Sequence, residues 1–411
     1  MSQYSSGQYA LFLHRWHGLH APARGAKARD FALDRLQAYV LPCSDLESRV
    51  LPARIADYHY GELDRRCKAG TLCWQGHERI GARDGAVSIF RAGQAPLLVR
   101  IRALTPGEAY VPLRNLLATR EPCEFGEILS TLGGFPPRIL ASLWDLVWAG
   151  EVSNTRLTPL LSLMSERVRR TRHGRSRRQR LLVGRGLSDA PPGSAGRWYL
   201  VAGPRQASAP QGERDRAVLC QLLERWGIVS QRCLLAEGVS GGLGRYAKIL
   251  RELEEAGRVR QGSFIDGCGI TQYALPEALE LLESGMPDPG AWLVAATDPV
   301  NPYGRLLPWP KPAMSKPAPQ RVAGARVVLS GQGLIGYLSA AGYDLITFVT
   351  EARCRRNDAT VLISALARAS RPDHVMLLRT IDGQHPARSP LSGELVSAGF
   401  QASRGGYIYR V

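Results

Sequence analysis

The sequence predicts an α+β fold: tandem units of three helices and a β-hairpin, followed by a β-rich, barrel-like α+β module. Two observations predict it. The first is the order of parts from Glu213 to Pro276. Leu219, Leu222, Leu223 and Trp226 fall at i, i+3, i+4 and i+7, an apolar helix face that Gly227 stops. Ser230 can cap a short second helix through Glu237, and the turn Gly238-Val239-Ser240-Gly241-Gly242 precedes a third, marked by Leu243, Tyr246, Leu250 and Leu253. Two strand-like runs follow, Arg258 to Ile265 and Ile270 to Leu275, joined at Asp266-Gly267-Cys268-Gly269. Three helices and a hairpin make a winged helix. The second observation is that the pattern closing the third helix recurs: Leu63 to Leu72 reads LDRRCKAGTL, Leu143 to Val152 reads LWDLVWAGEV, and Leu250 to Val259 reads LRELEEAGRV. Leucine stands seven before the glycine, alanine one before and an apolar residue two after in every copy, so the unit is used three times.

In the first copy Phe31 to Val40, Asp45 to Val50 and Gly61 to Ala69 are the expected helices, and Thr71 to Phe90 the wing, with its tip at Ala82-Arg83-Asp84-Gly85. In the second, Val111 to Leu117 and Glu124 to Leu132 precede a helix that Pro136-Pro137 can open without losing a hydrogen bond. Ile139, Leu140, Leu143, Trp144, Leu146, Val147 and Trp148 cover more than one face of that helix, and Arg138 is its one cation. It must be buried on two sides, which assigns Trp144, Val147 and Trp148 to domain packing or oligomerisation. In the third copy Arg245, Lys248 and Arg251 are about one helical turn apart, and Arg258 and Arg260 open the wing. That is a phosphate-binding pattern. Glu252, Glu254 and Glu255 count against it, and a winged helix used only for packing is the alternative.

Between Arg167 and Arg180 lie eight arginines and no acid, among them Arg169, Arg170, Arg177 and Arg178. Such a self-repelling stretch is expected to be disordered when free, and to act on DNA through phosphates without sequence preference. Residues Pro287 to Gln320 form a proline-rich, semi-rigid linker, stiffest at Pro308, Pro310 and Pro312. Beyond it, Arg326 to Ser330, Leu334 to Leu338, Leu345 to Thr350 and Val375 to Ile381 are expected strands, and Asp358 to Ala369 a helix. Ser389 caps a last helix, before a terminal strand near Tyr407. The expected division is residues 1–110 for the first winged helix, 111–165 for the second, 166–197 for a basic linker, 198–286 for the third winged helix, 287–320 for the proline-rich linker and 321–411 for the C-terminal module.

The balance of 53 Lys and Arg against 36 Asp and Glu, a formal +17, favours a polyanionic partner. No apolar run approaches the roughly 18 residues of a membrane span, and Met1-Ser2-Gln3-Tyr4 is no secretory signal, so a cytoplasmic, nucleoid-associated location is expected. Eight cysteines without a C-x-x-C pair suggest small buried residues, and Cys268, on an exposed wing tip without a cationic neighbour, an inert thiol. His14, His17 and His20 sweep too far round a helix to share a metal, and no metal or other cofactor is implied. Neither G-x-x-x-x-G-K-[ST] nor a D-E-x-H box occurs, which excludes the usual nucleoside triphosphate motor from this chain. No G-x-S-x-G elbow occurs either.

One segment is more specific. Ala295 to Pro310, AATDPVNPYGRLLPWP, closely resembles a signature in the C-terminal part of Lhr, the large helicase-related DNA helicases. GRWYL from Gly196, LLERWGIVSQ, AEGVSGGL, FIDGCGITQYALP and the AGARVVL and YLSAAGYDLITF runs resemble the same family in the same order. The resemblance implies the region that follows the helicase core: winged helices ending in a β-rich module, binding DNA, single-stranded or duplex, and nucleating homo-oligomers. The chain departs from it by lacking the ATPase, so a separate or missing helicase core is expected. Tyr9 to Leu19, YALFLHRWHGL, resembles an internal segment, so the chain is expected to start mid-protein. The resemblance extends to the winged-helix DNA glycosylases. That chemistry needs a carboxylate or amide at the sugar, which Asp298, Asp266, Gln272 or Asp382 could supply, with Asp298 the candidate named. Asp298 before Pro299 is equally a turn former. The expected function is the DNA-binding and oligomerising region of an Lhr-type helicase in DNA repair. The alternatives are a DNA glycosylase acting on uracil or alkylated bases and an assembly scaffold that binds no DNA.

Overall fold

The computed structural model describes residues 3–100, 104–120, 122–164, 191–202, 209–285, 287–311, 318–348, 356–368 and 375–410. The three repeat helices, Glu62–Lys68, Pro136–Trp148 and Ala247–Glu255, all end the same way. Gly70, Gly150 and Gly257 have φ of 70°, 80° and 67°, the left-handed region that glycine enters without a Cβ penalty. Gly70 N–H donates to Cys67 O (2.9 Å) and Thr71 N–H to Arg66 O (3.1 Å). Gly150 and Glu151 repeat the pair on Val147 O and Leu146 O, and Gly257 and Arg258 on Glu254 O and Leu253 O. These are Schellman caps, and they turn the chain so that Leu72, Val152 and Val259 enter the core.

Each repeat then builds one three-stranded antiparallel sheet, always in the same order. A short strand that precedes the second helix pairs with the second wing strand, which lies in the middle and pairs with the first. In the first copy these are Leu41–Pro42, Asp84–Arg91 and Leu72–Ile80. In the third they are Ile228–Ser230, Gln272–Ala274 and Arg260–Gly262. In the second they are Cys123–Glu124, Arg197–Leu200 and Val152–Asn154. Strand Arg197–Leu200 therefore belongs to the second winged helix, where the sequence suggests a linker running on into the third. The basic stretch sits between two strands of one wing, and its own residues lie outside those described.

Two compact units make up the chain: Met1–Arg35, Ser48–Asp57 and Leu219–Val411 in one, Leu36–Glu47 and Tyr58–Val218 in the other. In the second unit the Pro136–Trp148 helix is covered on two sides by this same chain. Val147 lies against Gly76 of the first wing, where a Cβ would clash with the Val147 carbonyl. Trp144 meets Trp198 edge-on at 5.7 Å, stacks with Trp148 at 5.2 Å, and donates its indole N–H to Gly193 O. Trp148 stays half-buried.

In the first unit the Ser6–Trp16 helix opens on a capping box, Ser5 and Gln8 bonding each other's backbone N–H. The next helix spans Gly25–Leu36, some six residues earlier than the hydrophobic pattern suggests. Asp57 explains the shift: it accepts from Gly25 N–H and pairs with Arg29, fixing the start, and Ala38, at φ 59°, ends the run. The expected Asp45 to Val50 helix is a short turn at Cys43–Asp45 that passes into a π-helical stretch, Leu46–Val50.

The C-terminal module is an open five-stranded sheet, Ala291–Ala295, Arg326–Ser330, Gly333–Leu338, Asp344–Thr347 and Thr380–Ile381 in that order, not a closed barrel. A three-stranded sheet, Met376–Leu378, Gly406–Tyr409 and Gln401–Ser403, and the Arg356–Arg368 helix complete it. Its core gathers Val328, Leu338, Leu345, Leu362, Leu366 and Leu395. Two expectations change here. Strand Ala291–Ala295 and the buried turn from Ala296 to Leu307 occupy what the proline content suggests is a linker, because Arg321 donates to the carbonyls of Thr297, Asp298, Asn301 and Tyr303 and holds the turn on the sheet. Ser389 does not cap the last helix, which spans Ser392–Ser397; its hydroxyl accepts from Leu391 N–H one turn earlier.

Candidate nucleic-acid interface

The third repeat presents the cations. Its Ala247–Glu255 helix forms because Leu250 and Leu253 share one face with the buried Tyr246 at its entry, leaving Lys248 and Arg251 together on the solvent side. Arg258 and Arg260 are exposed on the wing that follows. Arg245 is exposed but not on that helix. It ends a separate turn, Gly242–Arg245, which Gln231 anchors by accepting Leu243 N–H, and the chain bends at Tyr246 before the helix starts. Its guanidinium lies 5.9 Å from the Tyr246 ring. Glu254 accepts from Gln261 N–H, tying helix to wing.

The wing strands are shorter than the sequence suggests, and Gln272 is the reason. Its buried amide accepts from Phe264 and Ile265 N–H and donates to Ile265 and Gly269 carbonyls, replacing the ladder with side-chain bonds. Tyr4 adds a further backbone pair, donating to Phe264 O and accepting from Asp266 N–H. Cys268 is not at an exposed tip: this packing leaves it 5% exposed, and burial pushes its thiol up to about 12. Every bond Gln272 can make is thus spent on the fold.

Asp298 is equally committed. It is 1% exposed, takes both Arg54 guanidinium nitrogens at 2.8 Å, and accepts from Val300 N–H in an Asx turn. Arg54 also reaches Val50 O and Nδ1 of His17, whose Nε2 lies 3.0 Å from Arg225 O. Burial, then Arg54, Arg35 and Arg225, holds His17 well below the usual histidine range. His14, packed on Trp292, falls to about 4 through burial first. Arg225 is fully buried and pairs with Glu237, which also accepts from Trp226 Nε1. Asp382 sits at φ 51° and accepts from Thr347 N–H and Oγ1. Asp266 is exposed at the wing tip. Sequence patterns do not reveal Arg54, Arg225 and Glu237, since their partners lie far along the chain or round a turn and no local pattern marks a buried ion pair. Arg169, Arg170, Arg177 and Arg178 lie outside the described residues. Among the described residues no cluster of three or more His, Cys, Asp or Glu could hold a metal.

Residues 5–92 match a family model described as a winged-helix domain of the large helicase-related protein, the third of its kind, and residues 208–293 match the fourth. The chain carries Lhr winged-helix domains. The resemblance to the C-terminal part of Lhr therefore holds. An Lhr helicase/probable uracil glycosylase of Mycolicibacterium smegmatis is 30% identical over 406 residues, covering 92% of this chain and 26% of that protein. An Lhr helicase/uracil glycosylase of Escherichia coli K12 is 28% identical, covering 97% of this chain and 27% of that protein. The chain spans about a quarter of the length of these Lhr relatives. Streptomyces sahachiroi DNA glycosylase AlkZ shares the fold, with a TM-score of 0.54 over 92% of this chain and 100% of its own, at 16% identity.

Proposed function

We propose that this chain is a DNA-engaging region of an Lhr-type protein acting in DNA repair, and that it grips phosphates through its third winged helix. The observation that carries the reading is the exposed set Lys248, Arg251, Arg258 and Arg260, with Arg245 beside it, on the helix and wing that a winged helix lays on nucleic acid. The helix offers no Asn or Gln to base edges, so binding is weakly sequence-selective. A nucleoid-associated, cytoplasmic location follows from that reading, and no helix among the described residues is long and apolar enough to cross a membrane. The domain division proposed is the expected one with Arg197–Leu200 moved to the second winged helix and Ala291–Ala295 to the C-terminal module. Assembly is not placed on Trp144, Val147 and Trp148, because this chain already packs them.

The test is fluorescence anisotropy with labelled single-stranded and duplex oligonucleotides of unrelated sequence over a range of salt. Similar affinities that fall linearly in log K against log salt support the reading. No binding even at low salt overturns it. A second reading, excision of a damaged base, is favoured by the names of both relatives. Asp298 is held on both oxygens by Arg54, whereas Asp266 is exposed at the wing tip. Uracil-containing and alkylated strands, incubated with the protein and then treated with alkali, break beyond the level of protein-free controls only if that reading is right.

A further inference from the structure

A pocket of about 290 Å³ lies within the second unit, between the Pro136–Trp148 helix and the end of the first wing. Pro137, Leu140, Leu163 and Pro192 are among its apolar walls, and Trp144 and Trp148 line it together. Both indoles are fixed by the fold. Trp144 is held edge-on by Trp198 and by its bond to Gly193 O; Trp148 stacks on Trp144 at 5.2 Å and lies over Gly85, where a Cβ would meet its ring. Trp148 nonetheless stays half-buried, so part of a rigidly held aromatic surface faces solvent. Polar groups converge on the same pocket: Arg79, Arg83 and Asp84 from the wing, Asp145 from the helix. Arg79 donates through Nε to Gly81 O at 3.0 Å, and among the described residues neither guanidinium forms an ion pair. Asp84 spends its oxygens on the Ser44 hydroxyl and on the N–H groups of Ser44 and Gly85. Asp145 is exposed and accepts from the Tyr110 hydroxyl through one oxygen. Apolar walls with a few convergent polar groups are the features of a small-ligand site.

We propose that this pocket takes one unpaired base of a single strand, stacked on Trp148, with a flanking phosphate toward Arg79 and Arg83 and a base-edge N–H toward Asp145. Two cations against two acids give the lining no net formal charge, which suits a neutral ring inside and leaves the guanidinium forks for the phosphate next to it. An aromatic peptide side chain could fill the same space but brings no anion for the two arginines. Stacking on a fixed ring tolerates any sequence, because every base has a π-face. Bases in a duplex are already stacked and paired, so the site selects the single strand. The proposal rests on the reading that the chain engages DNA, but its residues are separate from the third winged helix.

The experiment uses the full chain and three fluorescein-labelled probes, followed by anisotropy: octathymidylate, an octamer with tetrahydrofuran in place of every nucleoside, and a duplex of unrelated sequence. The parent binds octathymidylate more tightly than the baseless octamer. Trp148→Ala weakens octathymidylate by about fivefold to 150-fold, the range for losing one aromatic stack, and leaves the other two probes largely as they were. Ala141→Phe, an exposed substitution that sets a ring in the pocket and removes neither indole, does the same. Arg79→Gln with Arg83→Gln flattens the log K against log salt line for octathymidylate by about 1.4, because two single-strand phosphates at about 0.7 each are no longer neutralised. Parent affinity for octathymidylate in either Trp148→Ala or Ala141→Phe overturns the site, while DNA binding elsewhere stands. Equal binding of octathymidylate and the baseless octamer by the parent overturns the base contact, and an unchanged salt slope overturns the phosphate contact. A parent chain that binds none of the three probes removes the DNA reading and this site with it.

Discussion

Arg54 and Asp298 show how one pair can be mistaken for chemistry. A carboxylate in a proline-ordered turn is a fair candidate for a catalytic group, yet both of its oxygens are taken and the guanidinium opposite is 3% exposed. Asp298→Ala leaves Arg54 as an unpaired buried charge and is expected to cost about 3–5 kcal/mol in chemical denaturation. A neutral, well-packed double replacement, Arg54→Met with Asp298→Leu, should recover most of that loss; a single substitution as stable as the parent would show that the pair is solvated. The same network sets a pH dependence. His14 and His17 have folded values below their unfolded one, so the unfolded chain takes up protons near pH 6.5 that the folded chain refuses. Stability is full above that pH and falls below it, for His14 until about 4, at up to about 1.4 kcal/mol per pH unit for each histidine. Thermal melts between pH 6.5 and 5.5 should show the decline, and His14→Gln should shrink it. A melting temperature flat across that interval would mean that both rings take up protons freely in the fold. Sequence alone could not find this network, because Arg54 and Asp298 are 244 residues apart.

The helix, Ala-Gly and strand unit was legible because all of its determinants are local. Leu63, Leu143 and Leu250 are buried, the glycines take the left-handed turn, and the apolar residue two further on is buried in every copy. What was not legible is pairing across long gaps: Arg197–Leu200 finds Val152–Asn154 beyond the whole basic stretch, and Ala291–Ala295 finds Arg326–Ser330 across prolines that read as a linker. The twofold burial of the Pro136–Trp148 helix was readable from its composition, but not what covers it. Trp198 and the Gly193 carbonyl meet Trp144 from the far side of the wing insertion. Trp144→Ala should therefore lower stability by about 3–5 kcal/mol, as for a large buried aromatic, without changing the mass seen by light scattering. A change of mass with unchanged melting would return this helix to an assembly surface.

At the scale of the whole chain, whose formal charge is +17, two groups of cations are candidates for DNA contact, and sequence and structure treat them differently. The third winged helix holds its cations on described, exposed positions, with glutamates among them. The stretch from Arg167 to Arg180 holds eight arginines and no acid, between two paired strands of the second wing. If both touch DNA, the salt dependence of binding is a sum, and each neutralised phosphate contributes about 0.7 on a single strand and about 0.9 on a duplex. Deleting residues 167–180 keeps both wing strands and the residues that flank the cut, so the fold should survive while the slope drops for all sequences alike. In that shortened chain, Arg258→Ala with Arg260→Ala should lower the slope by somewhat less than about 2 more, because two duplex phosphates at about 0.9 each are no longer neutralised. The order matters. In the full chain the eight arginines can mask the removal of two cations, whereas in the shortened chain those two are a larger share of the cations left to meet phosphate, and a slope that the double substitution leaves unchanged there takes the wing out of the DNA interface.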